Sequence, residues 1–112
     1  MKPTVCVDFD GVLNNYTHYD ENNCFTPREG AKEFLEKLSK DYRVVILTAR
    51  RFDKVQRWLK NYGLHKYVFD VTNIKVPATA YIDDRAIEFN GDYEIILKQL
   101  ESFKPYWKDE VR

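Results

Sequence analysis

Apolar residues along the chain fall into two rhythms, short unbroken runs and stripes at helical spacing, and the two alternate. Thr4-Val5-Cys6-Val7, just after Pro3, is short, continuous and β-branched, which predicts a buried strand. Thr26-Pro27-Arg28-Glu29 combines a capping box with proline at a first helical position, and Ala31, Phe34, Leu35 and Leu38 follow at i, i+3, i+4 and i+7. This pattern predicts a helix starting at Pro27. Arg43-Val44-Val45-Ile46-Leu47 predicts a second buried strand, and Val55, Trp58, Leu59 and Tyr62 a second helix closed by Gly63. Tyr67 to Val71 reads as a third strand, Ala80-Tyr81-Ile82 as a short fourth and Glu88-Phe89 as a fifth edge piece. Asp92 caps a last helix with its stripe at Tyr93, Ile96, Leu97 and Leu100, ended by Pro105.

Strands alternating with helices, each strand an unbroken apolar run, imply an α/β fold with right-handed crossovers. The expected architecture is a Rossmann-like three-layer domain with a mainly parallel sheet of about five strands. With 112 residues, the chain is read as one domain spanning positions 1–112, without a cap domain. Substrate selection then falls to loops or to a partner subunit. Eighteen basic residues balance eighteen acidic ones, which leaves no basic footprint for nucleic-acid binding. No apolar stretch approaches the roughly 20 residues of a membrane span, and the first residues lack a signal-peptide core. The expected location is cytoplasmic. Two cysteines without a CxxC spacing suggest neither zinc nor a disulfide framework, with Cys6 a small buried apolar residue and Cys24 a free thiol in a polar loop.

The first strand runs into Asp8-Phe9-Asp10-Gly11, two carboxylates one residue apart at the end of a buried run. On a strand, positions 8 and 10 share a face, and in open α/β sheets chemistry lies just beyond the carboxyl ends of the strands. Asp10-Gly11 also fits a plain turn, but a turn does not account for Asp8. The second strand ends in Thr48-Ala49-Arg50, where a hydroxyl and free backbone N–H groups suit an anion, or where Thr48 caps the following helix. The fourth strand ends in a second acidic pair, Asp83-Asp84, and Mg²⁺ is the natural partner of oxygen ligands drawn from two strand ends. Lys75 precedes that strand. The long polar and aromatic segment from Asn14 to Phe25 starts at the first acidic pair and is placed to cover the site as a loop or flap. Residues 104–112, with Tyr106-Trp107, form a tail without an assigned role.

Taken together, an acidic pair after strand one, a threonine after strand two, a lysine and an acidic pair after strand four resemble the haloacid dehalogenase-like superfamily from Val5 to about Phe89. The resemblance implies a small capless phosphatase that works through an aspartyl-phosphate. By that analogy Asp8 matches the nucleophile and Asp10 the general acid and base; Thr48, Ala49 and Lys75 match the phosphate binders. Asp8, Asp83 and Asp84, with the backbone carbonyl of Asp10, match the Mg²⁺ site. An acid at position 10 favours phosphatase or mutase chemistry over dehalogenation.

A phosphoacceptor receiver domain shares the size and residue types, but it carries its acidic pair, acceptor, threonine and lysine in a different order. A catalytically silent module on the same fold is the other alternative. The substrate is a phosphorylated molecule, with nucleotides, phosphosugars and nucleic-acid ends as candidates. Tyr16, His18, Tyr19, Arg50 and Arg51 are candidate contacts, and a homo-oligomer is a candidate source of a lid.

Overall fold

The computed structural model describes residues 1–111, with side chains described through Lys108. Its regular elements, in chain order, are β1 (Thr4–Asp8), α1 (Ala31–Asp41), β2 (Arg43–Leu47), α2 (Phe52–Asn61), β3 (Asp70–Thr72), β4 (Ala80–Ile82) and α3 (Tyr93–Ser102). Short 3₁₀ turns lie at His65–Tyr67 and Tyr106–Val111.

The four strands form one sheet in the order β3-β2-β1-β4, with every pairing parallel. Val5, Cys6 and Val7 of β1 and Val44, Val45 and Ile46 of β2 are buried, as strands covered on both faces must be. From β1 the chain moves outward through β2 and β3, then returns to place β4 on the other side of β1. The strand order therefore reverses at the carboxyl ends of β1 and β4, which is where ligands bind in open α/β sheets. The core joins Val5, Val7, Phe9 and Leu13 to Leu35 of α1 and to Val55, Trp58 and Leu59 of α2. Among the described residues there is no cap domain, and no helix is long and apolar enough to cross a membrane.

Several predicted elements differ. The first helix begins at Ala31 behind Gly30, whose φ is 90°, with no side-chain cap, so Thr26 and Glu29 do not form a capping box. Pro27 is instead bridged antiparallel to Asn14, and Asn15 donates its backbone N–H to Thr26 O and its side-chain amide to Thr26 Oγ1. That long-range pairing takes the residues that local patterning reads as a helix start. The third strand is shifted, because residues 65–67 make a 3₁₀ turn and β3 starts only at Asp70. Glu88-Phe89 has no strand pairing, so the sheet has four strands rather than five.

The second helix follows its predicted stripe closely: Val55, Trp58 and Leu59 are buried, while Tyr62, just past the helix, is exposed. Asp92 caps α3 as expected, its side chain accepting from the N–H groups of Glu94 and Ile95. The apolar stripe of that helix does not enter the core, however. No residue of α3 is buried, and Tyr93, Leu97 and Leu100 are largely exposed. Cys6 and Cys24 are both free thiols, Cys6 fully buried.

Candidate active site

Strand register builds the acidic centre. Val7 lies beside Ile82, so the next residues of these parallel strands, Asp8 and Asp83, emerge side by side at the carboxyl edge, with Asp84 directly after. One carboxylate oxygen from each of Asp8, Asp83 and Asp84 lies within 4.8 Å of the others. Burial, reinforced by the negative charges of Asp83 and Asp84, pushes the Asp8 carboxyl up to about 8. Asp84 Oδ1 is buried and meets no hydrogen-bond donor. Crowded acids and an orphaned buried oxygen are both relieved by a divalent cation, and an all-oxygen donor set suits Mg²⁺. The residues present therefore fit that ion.

Asp10 shares the edge but not the cluster. Its carboxylate turns toward Arg50, whose Nε donates to Oδ1 at 3.1 Å and to Oδ2 at 2.9 Å, and Asn14 Nδ2 donates to Oδ1 at 2.8 Å. The Arg50 side chain is 2% exposed. Its Nη1 donates to the carbonyl of Asp20 at 2.8 Å, while Nη2 is buried without a partner. Arg50, a candidate substrate contact in the sequence, thus joins Asp10 to the 14–25 loop. Asn14 completes the link by donating to Cys24 O and accepting from the Gly11 N–H, both at 3.0 Å.

The loop is tied down along its length. Trp58 Nε1 donates to Phe25 O at 2.7 Å and Lys54 Nζ to Glu21 O at 2.9 Å. Tyr16 is buried, whereas His18 and Tyr19 are exposed. Arg51 is exposed and pairs with Asp53.

Thr48 is buried where β2 turns toward α2. Its N–H donates to Thr72 O at 2.9 Å, and its Oγ1 accepts from the Arg50 N–H at 3.0 Å. Helix α2 takes Arg51 as its N-cap, so Thr48 shapes the preceding turn rather than capping the helix. Ala49 stands exposed in that turn. Lys75 is exposed, with its Nζ 4.5 Å from the centroid of the Tyr81 ring, and its described contacts do not bring it to the acidic cluster. Of the six side chains and the Ala49 backbone singled out by sequence, three acids converge, Asp10 and Thr48 lie engaged nearby, and Lys75 is not brought in.

Two participants come from the unassigned tail. Tyr106 OH donates to Gly11 O at 2.5 Å, and the Trp107 indole N–H donates to Asp84 Oδ2. Gly11 has φ +84°, and a Cβ there would run into the Asp84 carboxylate and stand 3.0 Å from Trp107 Nε1. A turn with left-handed backbone and no side-chain room requires glycine.

A parallel sheet with an acidic centre at its switch point is the arrangement of the haloacid dehalogenase-like phosphatases. The chain belongs to one family of that class, since the model for "NLI interacting factor-like phosphatase" matches residues 3–110. No curated protein matches it significantly. Among solved structures, one described as a conserved protein from Bacteroides thetaiotaomicron aligns over 100% of both chains with a TM-score of 0.63 and 20% identity. That likeness is one of fold.

Proposed function

We propose that the chain is a small, capless, Mg²⁺-dependent phosphomonoester hydrolase that works through an aspartyl-phosphate on Asp8. The observation that carries this reading is the convergence of Asp8, Asp83 and Asp84 at adjoining strand ends, in a member of a phosphatase family. Asp8, Asp83 and Asp84, with the carbonyl of Asp10, would hold the ion, which when bound offsets the repulsion between a phosphate dianion and the Asp8 carboxylate.

The steps of the chain's own residues follow from their chemistry. An Asp8 oxygen attacks phosphorus, the ester P–O bond breaks, and the leaving oxygen takes a proton from Asp10. Water then attacks the phosphoryl group, its proton passes to Asp10, and the bond to Asp8 breaks to release inorganic phosphate. For both transfers the Asp10 carboxylate must swing away from Arg50, to which it is paired at 2.9 Å. By the family resemblance the hydroxyl of Thr48 and the Ala49 N–H would hold phosphate oxygens, and Lys75 would join them by a movement of its flexible side chain. With no cap, substrate selection falls to the 14–25 loop, to the C-terminal turn and, in an oligomer, to a neighbouring copy.

Mg²⁺-dependent release of phosphate from p-nitrophenyl phosphate, compared between the wild type and Asp8→Asn, tests the reading. Loss of turnover in the variant is expected; equal rates would remove Asp8 as nucleophile. One observation favours the silent-module alternative, namely that Asp10 is committed to Arg50 and Asn14. Under that alternative Mg²⁺ binds and no phosphate is released.

A further inference from the structure

The residues around Asp84 divide its two oxygens. Oδ2 accepts the indole N–H of Trp107, and Oδ1 is buried without a donor. We infer that Trp107 is a positioning residue of the acidic centre, its N–H fixing the Asp84 carboxylate so that the free oxygen is held for a divalent cation. The inference rests on the phosphatase reading and adds to it a residue from outside the motif-bearing strands.

Trp107 is held too firmly to be a passing contact. It is 8% exposed, its ring meets Tyr16 edge to face at 5.0 Å, and the Arg85 guanidinium lies 5.1 Å over it. The turn that carries it is anchored separately by Tyr106, which donates to Gly11 O and lies under Arg28 at 5.0 Å. Gly11, without a side chain, leaves the space in which indole and carboxylate meet.

The chemical type of the donor matters as much as its place. Tryptophan has one N–H, no acceptor and no charge. A lysine or arginine there would neutralise Asp84 and compete with the cation. A neutral donor orients the carboxylate and leaves its charge available, which is the usual task of groups that hydrogen-bond to metal-ligating carboxylates.

Mg²⁺ affinity measured by calorimetry on the full chain, without substrate, provides the first readout. Trp107→Phe keeps the ring and removes the N–H, and its Mg²⁺ affinity is expected to fall by about 10- to 100-fold. Unchanged or tighter binding in a folded Trp107→Phe protein would overturn the inference and leave the phosphatase reading standing.

The second readout uses the unmodified protein, so it does not depend on the variant folding. The chain has two tryptophans, Trp58 and Trp107, and hence two indole N–H resonances. Addition of Mg²⁺ is expected to shift the Trp107 resonance with the calorimetric midpoint and to leave that of Trp58, bonded to Phe25 O, in place. A Trp107 signal unmoved at saturating Mg²⁺ would overturn the inference alone. Absence of any Mg²⁺ binding by the wild type would overturn the inference and the phosphatase reading together.

Discussion

Arg50 and Asp10, forty positions apart, meet as a partly buried ion pair in which one guanidinium nitrogen reaches both carboxylate oxygens. Asp10 retains 21% side-chain exposure while Arg50 has almost none, so deleting the arginine strands an acid that water can partly reach. Arg50→Ala should lower stability by about 3 kcal/mol, toward the low end of what breaking buried pairs costs. Arg50→Lys should recover only part of this, because an ammonium lacks the fork that reaches Asp10 and Asp20 at once. Urea denaturation of the three proteins checks both statements.

The raised Asp8 carboxyl predicts an unusual dependence of stability on pH. Its folded value of about 8 stands above the ordinary 3.8, so between these values the folded state holds a proton that the unfolded state has lost. Stability of the metal-free protein should therefore fall as pH rises from about 4 to about 8. Thermal unfolding in EDTA across this range should show the decline. Asp8→Asn should flatten it, and saturating Mg²⁺ should reverse it, with apparent Mg²⁺ affinity rising with pH as Asp8 ionises.

Gly11→Ala meets two obstacles, a left-handed backbone and a collision with the Asp84 carboxylate. The backbone conformation alone costs roughly 1–2 kcal/mol, and the collision must displace Asp84 or Trp107. The expected result is a lower unfolding midpoint together with weaker Mg²⁺ binding. Gly91→Ala, also at positive φ but with open space around it, should lose stability only.

Two leucines at helical spacing should behave very differently. Leu35 in α1 is fully buried, and Leu35→Ala should cost about 2–5 kcal/mol. Leu100 in α3 is 60% exposed, and Leu100→Ala should fall within about 0.5 kcal/mol of the wild type. Hydrogen exchange should match, with α3 amides exchanging well before those of β1 and β2.

The contrast between these helices also shows what the linear pattern carries. Periodicity identified α1, α2 and α3 alike, because it records which residues could share a face. It does not record whether another element covers that face. Strand ends were legible for a similar local reason. Strand runs closing on acids, the buried one at Asp8 and the short fourth at Asp83-Asp84, break the usual apolar logic of a strand, and the break marks the site. Thr26-Pro27 misled because its pairing with Asn14-Asn15 crosses the whole 14–25 loop. Arg50 reads locally as a substrate contact and Trp107 carries no local signal, because the bond of each, to Asp10 and to Asp84, is to a residue far along the chain. A lone tryptophan near Pro105 reads as a stray apolar residue until Asp84 is placed beneath it.

The hydrogen bond from Tyr106 to Gly11 spans 95 positions. During synthesis, the first strand and its acids leave the ribosome well before the turn that closes over them. A nascent chain that has emerged as far as β4 would present Asp8, Asp83 and Asp84 with Asp84 still lacking its indole partner. Order of emergence thus becomes an order of assembly, in which the acidic centre gains its indole partner only when the turn carrying Tyr106 and Trp107 folds back onto Gly11.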